Sequence, residues 1–189
     1  MNAGADADAD GRPPPEKPAG KAAGRPANKR GVARLAAVQA LYQMDVAGIS
    51  AADVVKEFEL FRLRQEIDGE ALREADADWL ATVVTGVVES QRAIDRRVDQ
   101  SLAATWPLAR IDLTLRAVLR AATFEMEKRA DVPAAVVISE YLDVARAFFD
   151  GDEPGIVNAV LDRIAREVRP GELAERAESG PQPGPGEEP

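Results

Sequence analysis

The side chains best placed to do chemistry gather at one point of the chain, where Lys29, Arg30 and Arg34 open a run of helical periodicity. Arg30 and Arg34 stand one turn apart on one face. The free backbone N–H groups of the first turn and the positive end of the helix dipole point the same way. Such an array suits an anion, above all the phosphates of a nucleic acid. Exposed cations at a helix start cost the helix roughly 0.3–1 kcal/mol each, a cost that an arriving anion offsets. A solvated basic leader in front of an ordinary helix is the other reading, and the residues alone leave both open. Phosphate contacts give affinity without choice of base, which calls for aromatics or amides nearby. Gln39 and Tyr42 lie further along the same helix. Tyr42 also falls on the apolar stripe, so it is either packed in the core or set at its edge with the hydroxyl outward.

Other chemistry has little to work with. The chain has no Cys and no His, which removes thiol catalysis, disulfides, thiolate metal sites and the side chain that titrates nearest neutrality. Carboxylates are abundant but fall beside arginines, as in Asp95, Arg96, Arg97 and Asp99, the pattern of a solvated helix face. There is no P-loop, no dinucleotide fingerprint after a strand and no nucleophile elbow. We therefore expect no catalytic residues, no metal and no cofactor. Apolar runs are only a few residues long and the start lacks a secretory apolar stretch, so the expectation is a cytoplasmic protein with no membrane partner.

A net charge of −9 over 189 residues argues against nucleic acid only if it is evenly spread. It is not. Between Arg12 and Arg34 the bases Arg12, Lys17, Lys21, Arg25, Lys29, Arg30 and Arg34 face one acid, Glu16, whereas from Glu172 onward five acids face Arg176 alone.

The elements that must position these residues are helical throughout. Residues 1–28 and 169–189 are rich in Ala, Gly, Pro and charge and are expected to be disordered, leaving 29–168 as the folded body. The Asp-Ala repeat in the leader reads as low complexity, not as a metal site. A first helix spans about Lys29 to Ala47, with Leu35, Val38, Tyr42, Val46 and Ile49 on its inner stripe and Gly48 ending it. Ser50 caps a second, with Val54, Val55, Phe58 and Phe61 inward, and Arg64 to Asp78 reads as a loop. A long helix follows from Ala77 to about Ala104, buried through Leu80, Val84, Val87, Ile94, Val98 and Leu102, with a bend at Gly86 or Ser90 and Trp106-Pro107 closing it. Asp112 caps a helix through Met126 that buries Leu115, Val118, Leu119 and Ala122. Pro133 opens one lined by Val137, Tyr141, Ala145 and Phe148, and Pro154 opens the last, lined by Val157, Val160, Leu161 and Ile164. Short loops between such helices make an all-α bundle.

Three stretches in this order resemble the NusB family: ARLAAVQALYQMD at 33–45, LRAVLRAATFEMEKRADVP at 115–133 and VNAVLDRIA at 157–165. The resemblance covers about residues 29–168. It implies an all-α fold of about seven helices in two helical subdomains. It also implies a transcription antitermination factor that pairs with a small-subunit ribosomal protein (NusE) and binds single-stranded boxA RNA. Ribosomal RNA operons would be the setting, with other Nus factors and RNA polymerase as indirect partners. Carried onto this sequence, Lys29, Arg30, Arg34, Gln39, Tyr42 and Asp152 become RNA contacts. Tyr42, Leu115, Arg116, Asp152 and Ile156 become partner contacts. The chain departs from the family pattern at Gly31 and Val32, where bases are common, at Leu115, where an acid is usual, at Gly155, where a base occurs, and at Ile156, where Phe is usual. A related domain fronts rRNA methyltransferases; the short tail after Arg169 argues against that arrangement. A purely protein-binding helical module is the third reading.

Overall fold

In a computed structural model the described residues are 29–62, 66–67, 70–71, 76–103 and 106–172, with residues 61, 62, 66, 67, 70 and 71 described by backbone only. Expectations for the leader 1–28, for the tail beyond 172, for the Phe61 side chain and for Ala104 fall outside them. Six α-helices stand among the described residues: α1 Lys29–Ala47, α2 Ala51–Glu57, α3 Ala77–Ser101, α4 Leu113–Lys128, α5 Ala134–Phe148 and α6 Glu153–Val168. A π-helical turn, Phe58–Arg62, extends α2, and a 3-10 turn, Leu108–Arg110, precedes α4. Where a plain loop was expected, Glu66–Ile67 and Glu70–Ala71 pair as a minimal antiparallel hairpin.

Local chemistry sets the helix ends. Gly48 takes φ +66° and its N–H donates to the Met44 carbonyl at 2.9 Å, the left-handed exit that glycine adopts without strain. Ser50 Oγ accepts from the Asp53 N–H at 3.2 Å to start α2. Asp76 does the same for α3 through the Trp79 N–H at 2.9 Å. Asp112 starts α4 through the N–H groups of Thr114 and Leu115. The far end of α4 is closed by Arg169, whose guanidinium donates to the carbonyls of Glu125 and Met126 in its last turn and to those of Arg129 and Val132 in the turn that follows. Glu172 accepts from the Ala134 N–H at 2.6 Å, where Pro133 gives α5 no side-chain cap. The folded body thus continues through Glu172, past the boundary expected at 168.

Helix α4 is the centre: α1, α3, α5 and α6 all pack on it, so the N-terminal and C-terminal helical groups share one continuous core. The inward residues expected on α3, α4 and α6 are all buried. Two stripes differ. On α1 the buried set is Ala33, Arg34, Ala36, Ala37, Val38, Ala40 and Leu41, while Leu35 is partly exposed and Tyr42 and Val46 are 40% and 58% exposed. Small alanines make the seam, because α1 lies close against α3 and α4, and the bulkier residues on which the periodicity rested fall to one side. Phe148 likewise lies 38% exposed at the end of α5. Helix α3 also runs unbroken through Gly86 and Ser90. Gly86 serves contact instead of a bend: a Cβ there would stand 2.1 Å from the Phe124 ring.

Candidate functional site at the two ends of the first helix

The two ends of α1 lie about 27 Å apart, at 1.5 Å per residue, and they are built differently. The N-terminal end is held by a buried polar node. Arg34 is 2% exposed; its Nε and Nη2 donate to the Glu125 carboxylate at 2.9–3.1 Å and its Nη1 to Glu140 at 3.0 Å. Glu125, fully buried, also accepts from Trp79 Nε1 at 3.0 Å and from the Tyr141 hydroxyl at 2.7 Å. One carboxylate therefore ties α1, α3, α4 and α5 together. Burial alone would lower the Arg34 pKa, but the hydrogen bonds and charge of Glu125 more than offset this, and the guanidinium is held above its ordinary value. Burial, with the charge of Glu125, pushes the Tyr141 phenol well above its usual range, so its hydroxyl remains a donor.

This corrects one expectation. Arg34 is no phosphate contact: its guanidinium is committed inside the core, because a charge at this depth is tolerated only when paired and fully hydrogen-bonded.

Around the node the surface is polar and balanced. Arg30, with a side chain 49% exposed, lies 4.2 Å over the Trp79 ring and 3.7 Å from Asp76. Arg129 lies 3.9 Å from the same ring centre and is paired with Asp131 at 2.8 and 3.0 Å. Lys29 is exposed beside them. Lys29, Arg30, Asp76 and Asp131, with Val132, Pro133, Val136, Glu140 and an edge of Arg34, line an open cavity of about 490 Å³. The positive entry expected from the sequence is matched there by Asp76, Asp131 and Glu140.

The C-terminal end of α1 is open. Gln39, Tyr42, Gln43, Val46 and Ala47 line a groove of about 420 Å³ with Thr114 at the start of α4 and Phe148 at the end of α5. Gln43 is held by donating to Glu57 at 2.8 Å. Below the groove Asp45 accepts from Arg116 at 3.1 Å and from Arg120 at 3.0 Å, and Arg120 also donates to Asp95 at 2.7 Å. Arg116 is thus part of an ion-pair network that fixes α1 on α4 and α3.

The remaining predicted residues divide. Leu115 is 2% exposed and packs in the core, which removes it as a partner contact; the caps of Asp112 set α4 so that this position points inward. Asp152 is exposed, its carbonyl accepting from the Gly155 and Ile156 N–H groups to start α6. Ile156, partly buried, faces a separate cavity with Trp106. The structure therefore brings Gln39 and Tyr42 together, keeps Lys29 and Arg30 at the opposite end, and withdraws Arg34 and Leu115. Reasoning from sequence missed Glu125 and Trp79; it placed Tyr141 on the inner face of α5 but not its hydroxyl on Glu125. The available signal was an acid enclosed by Phe124 and Met126 in an otherwise apolar run, four turns after a cap. No His/Cys/Asp/Glu metal cluster, and no helix long and apolar enough to cross a membrane, occurs among the described residues.

These features define an all-α helical bundle in which two exposed aromatic side chains, Tyr42 and Phe148, meet the amides of Gln39 and Gln43 at one end of the first helix. The sequence model of the NusB family matches residues 32–166, and the chain belongs to that family. It is 59% identical to the transcription antitermination protein NusB of Mesorhizobium japonicum over 145 residues, 77% of this chain and 94% of that protein. It is 55% identical to the NusB of Brucella ovis over 160 residues, 85% of this chain and 90% of that protein. Among solved structures, T. maritima NusB superposes with a TM-score of 0.63 at 29% identity, covering 77% of this chain and 96% of that one. A NusB in complex with NusE and double-stranded RNA superposes at 0.62 and 21% identity, covering 74% and 97%, a likeness of fold.

Proposed function

We propose that this protein is a transcription antitermination factor that binds single-stranded boxA-type RNA together with a small-subunit ribosomal protein, NusE. In this reading it supports transcription of ribosomal RNA operons and meets other Nus factors and RNA polymerase through that assembly. Relatives more than half identical over nearly their whole length carry the antitermination name, and a protein of the same fold has been solved with NusE and RNA. The observation that carries the reading here is the groove at the end of α1. Tyr42 and Phe148 leave apolar surface uncovered beside the amide of Gln39, while Asp45, Arg116, Arg120 and Asp95 are ion-paired to one another. Exposed aromatic surface with amides beside it is the composition of an interface core, where aromatics carry most of the energy.

In mechanism, Tyr42 and Phe148 anchor the protein partner and Gln39 supplies a directional hydrogen bond. In this reading Asp152, exposed at the start of α6, is a further contact for RNA and partner. Lys29 and Arg30 add phosphate affinity at the far end, and the leader adds more. The test is a binding titration with the ribosomal partner, using boxA-containing RNA and a scrambled strand. Tyr42→Ala is expected to weaken partner binding at least tenfold while melting within a few degrees of the parent. Equal affinity for the two RNAs in the partnered protein sinks the reading.

A further inference from the structure

A second cavity, of about 500 Å³, opens where the end of α3 meets α6, away from the groove on α1. Leu102, Ile156 and Val160 give it apolar walls, and Ser101, Trp106 and Arg163 line it with them. Three observations mark it. Trp106 is 47% exposed, whereas the other tryptophan, Trp79, is 3% exposed; burying a Trp is among the larger gains available to a fold, and here it is left undone. Ser101 is only 7% exposed and its hydroxyl has no hydrogen-bond partner among the described residues, a deficit of about 1–3 kcal/mol unless a polar atom arrives. Arg163, with a side chain 57% exposed, has only a loose 3.7 Å pairing with Glu167, of the kind worth little in solvent.

The chemistry these three groups define is narrow. An aliphatic plug would cover the indole but leave the Ser101 hydroxyl unpaired. A small anion would meet Arg163 but leave the indole bare. A flat ring with a polar edge, attached to a phosphate, answers all three.

We propose that this cavity takes one base of a single-stranded RNA, stacked on Trp106, with its polar edge toward Ser101 and a flanking phosphate on Arg163. The proposal rests on the RNA-binding reading above and adds to it a base-contacting site on α3 and α6. Base–aromatic stacking supplies affinity with little demand on base identity, since every base presents a π-face.

The test uses the full chain with its ribosomal partner, a fluorescently labelled boxA-containing strand and anisotropy as the readout, with circular dichroism to verify folding. Trp106→Ala is expected to weaken RNA binding roughly five- to hundredfold, the equivalent of about 1–3 kcal/mol of stacking per base. Trp106→Phe should recover most of the loss, and Arg163→Ala should cost a smaller factor and flatten the salt dependence. Tryptophan emission gives a second readout: RNA should quench the parent protein, and the quench should vanish in Trp106→Phe, whose remaining Trp79 is buried. Unchanged RNA affinity in a folded Trp106→Ala overturns the proposal while leaving the RNA-binding reading intact. Loss of affinity for the ribosomal partner without RNA overturns it in favour of a protein side chain in the cavity. Failure of the parent protein to take up RNA sinks both.

Discussion

The two ends of α1 share a helix but not a job. At its start, Arg34 is sealed beneath the surface on Glu125 and Arg30 lies flat on Trp79 near Asp76. At its end, Tyr42 and Val46 are 40% and 58% exposed, on a groove that Phe148 completes. Charge density in the sequence points to the first end, and much of that charge turns out to hold the helices together. Surface that the core leaves uncovered marks the second end, although its residues are ordinary ones for a stripe. The lesson is that a charged residue advertises a binding site only where no opposite charge reaches it from another helix, and that is a property of the packing.

The largest effect should come from breaking the node. Arg34→Ala leaves the Glu125 carboxylate fully buried with only Trp79 and Tyr141 as donors. Removing one partner of a buried ion pair costs about 3–5 kcal/mol. At roughly 2–4 °C per kcal/mol for a chain of this size, melting should fall by about 10 °C or more. Thermal unfolding followed by circular dichroism checks it. RNA affinity of the folded fraction should stay near that of the parent. A variant that melts like the parent but loses RNA would reverse the comparison and return Arg34 to the binding surface.

A smaller structural effect sharpens the same division. Gly86→Ala gains about 1 kcal/mol of helix propensity but drives a methyl to within 2.1 Å of the Phe124 ring. Overpacking of this kind costs about 1–3 kcal/mol, and since Phe124 is itself 6% exposed and enclosed, the clash should win and the variant should unfold at lower urea. A more stable Gly86→Ala would show that α3 and α4 can part without cost.

Much of this fold is legible in the sequence, for physical reasons that differ by element. Caps are local: Ser50, Asp76, Asp112 and Gly48 act within three or four residues, and three of the four were readable where they stand, Asp76 falling inside a segment taken as loop. The apolar rows of α3, α4 and α6 are built from bulky residues at helical spacing, so burial follows pattern. The row on α1 is not, because alanines form its seam and weigh little in any periodicity. Arg34 could not be placed because its fate depends on a residue 91 positions away, whereas the periodicity of α4 did place Leu115 inward and only the carry-over from the family pattern turned it toward a partner. The groove was half visible: Gln39 and Tyr42 were named, but Phe148 was assigned to the core, since only the docking of α5 shows that its last turn overhangs α1.

The smallest effect concerns Arg30, and it decides whether the first end of α1 has a binding role at all. Its contacts are weak ones, a 3.7 Å pairing with Asp76 and a partly exposed stack on Trp79. Surface pairs contribute about 0–1 kcal/mol and exposed cation–π contacts about 0.5–1 kcal/mol. Arg30→Ala should therefore leave stability within roughly 1 kcal/mol of the parent. If the guanidinium leaves Asp76 for one phosphate, the slope of log affinity against log salt should shrink by about 0.7. Affinity for boxA and scrambled strands should then fall by the same factor, since a phosphate contact carries no base information. An unchanged slope would mean that Asp76 keeps its arginine when RNA is bound, and the start of α1 would be left with a structural role alone.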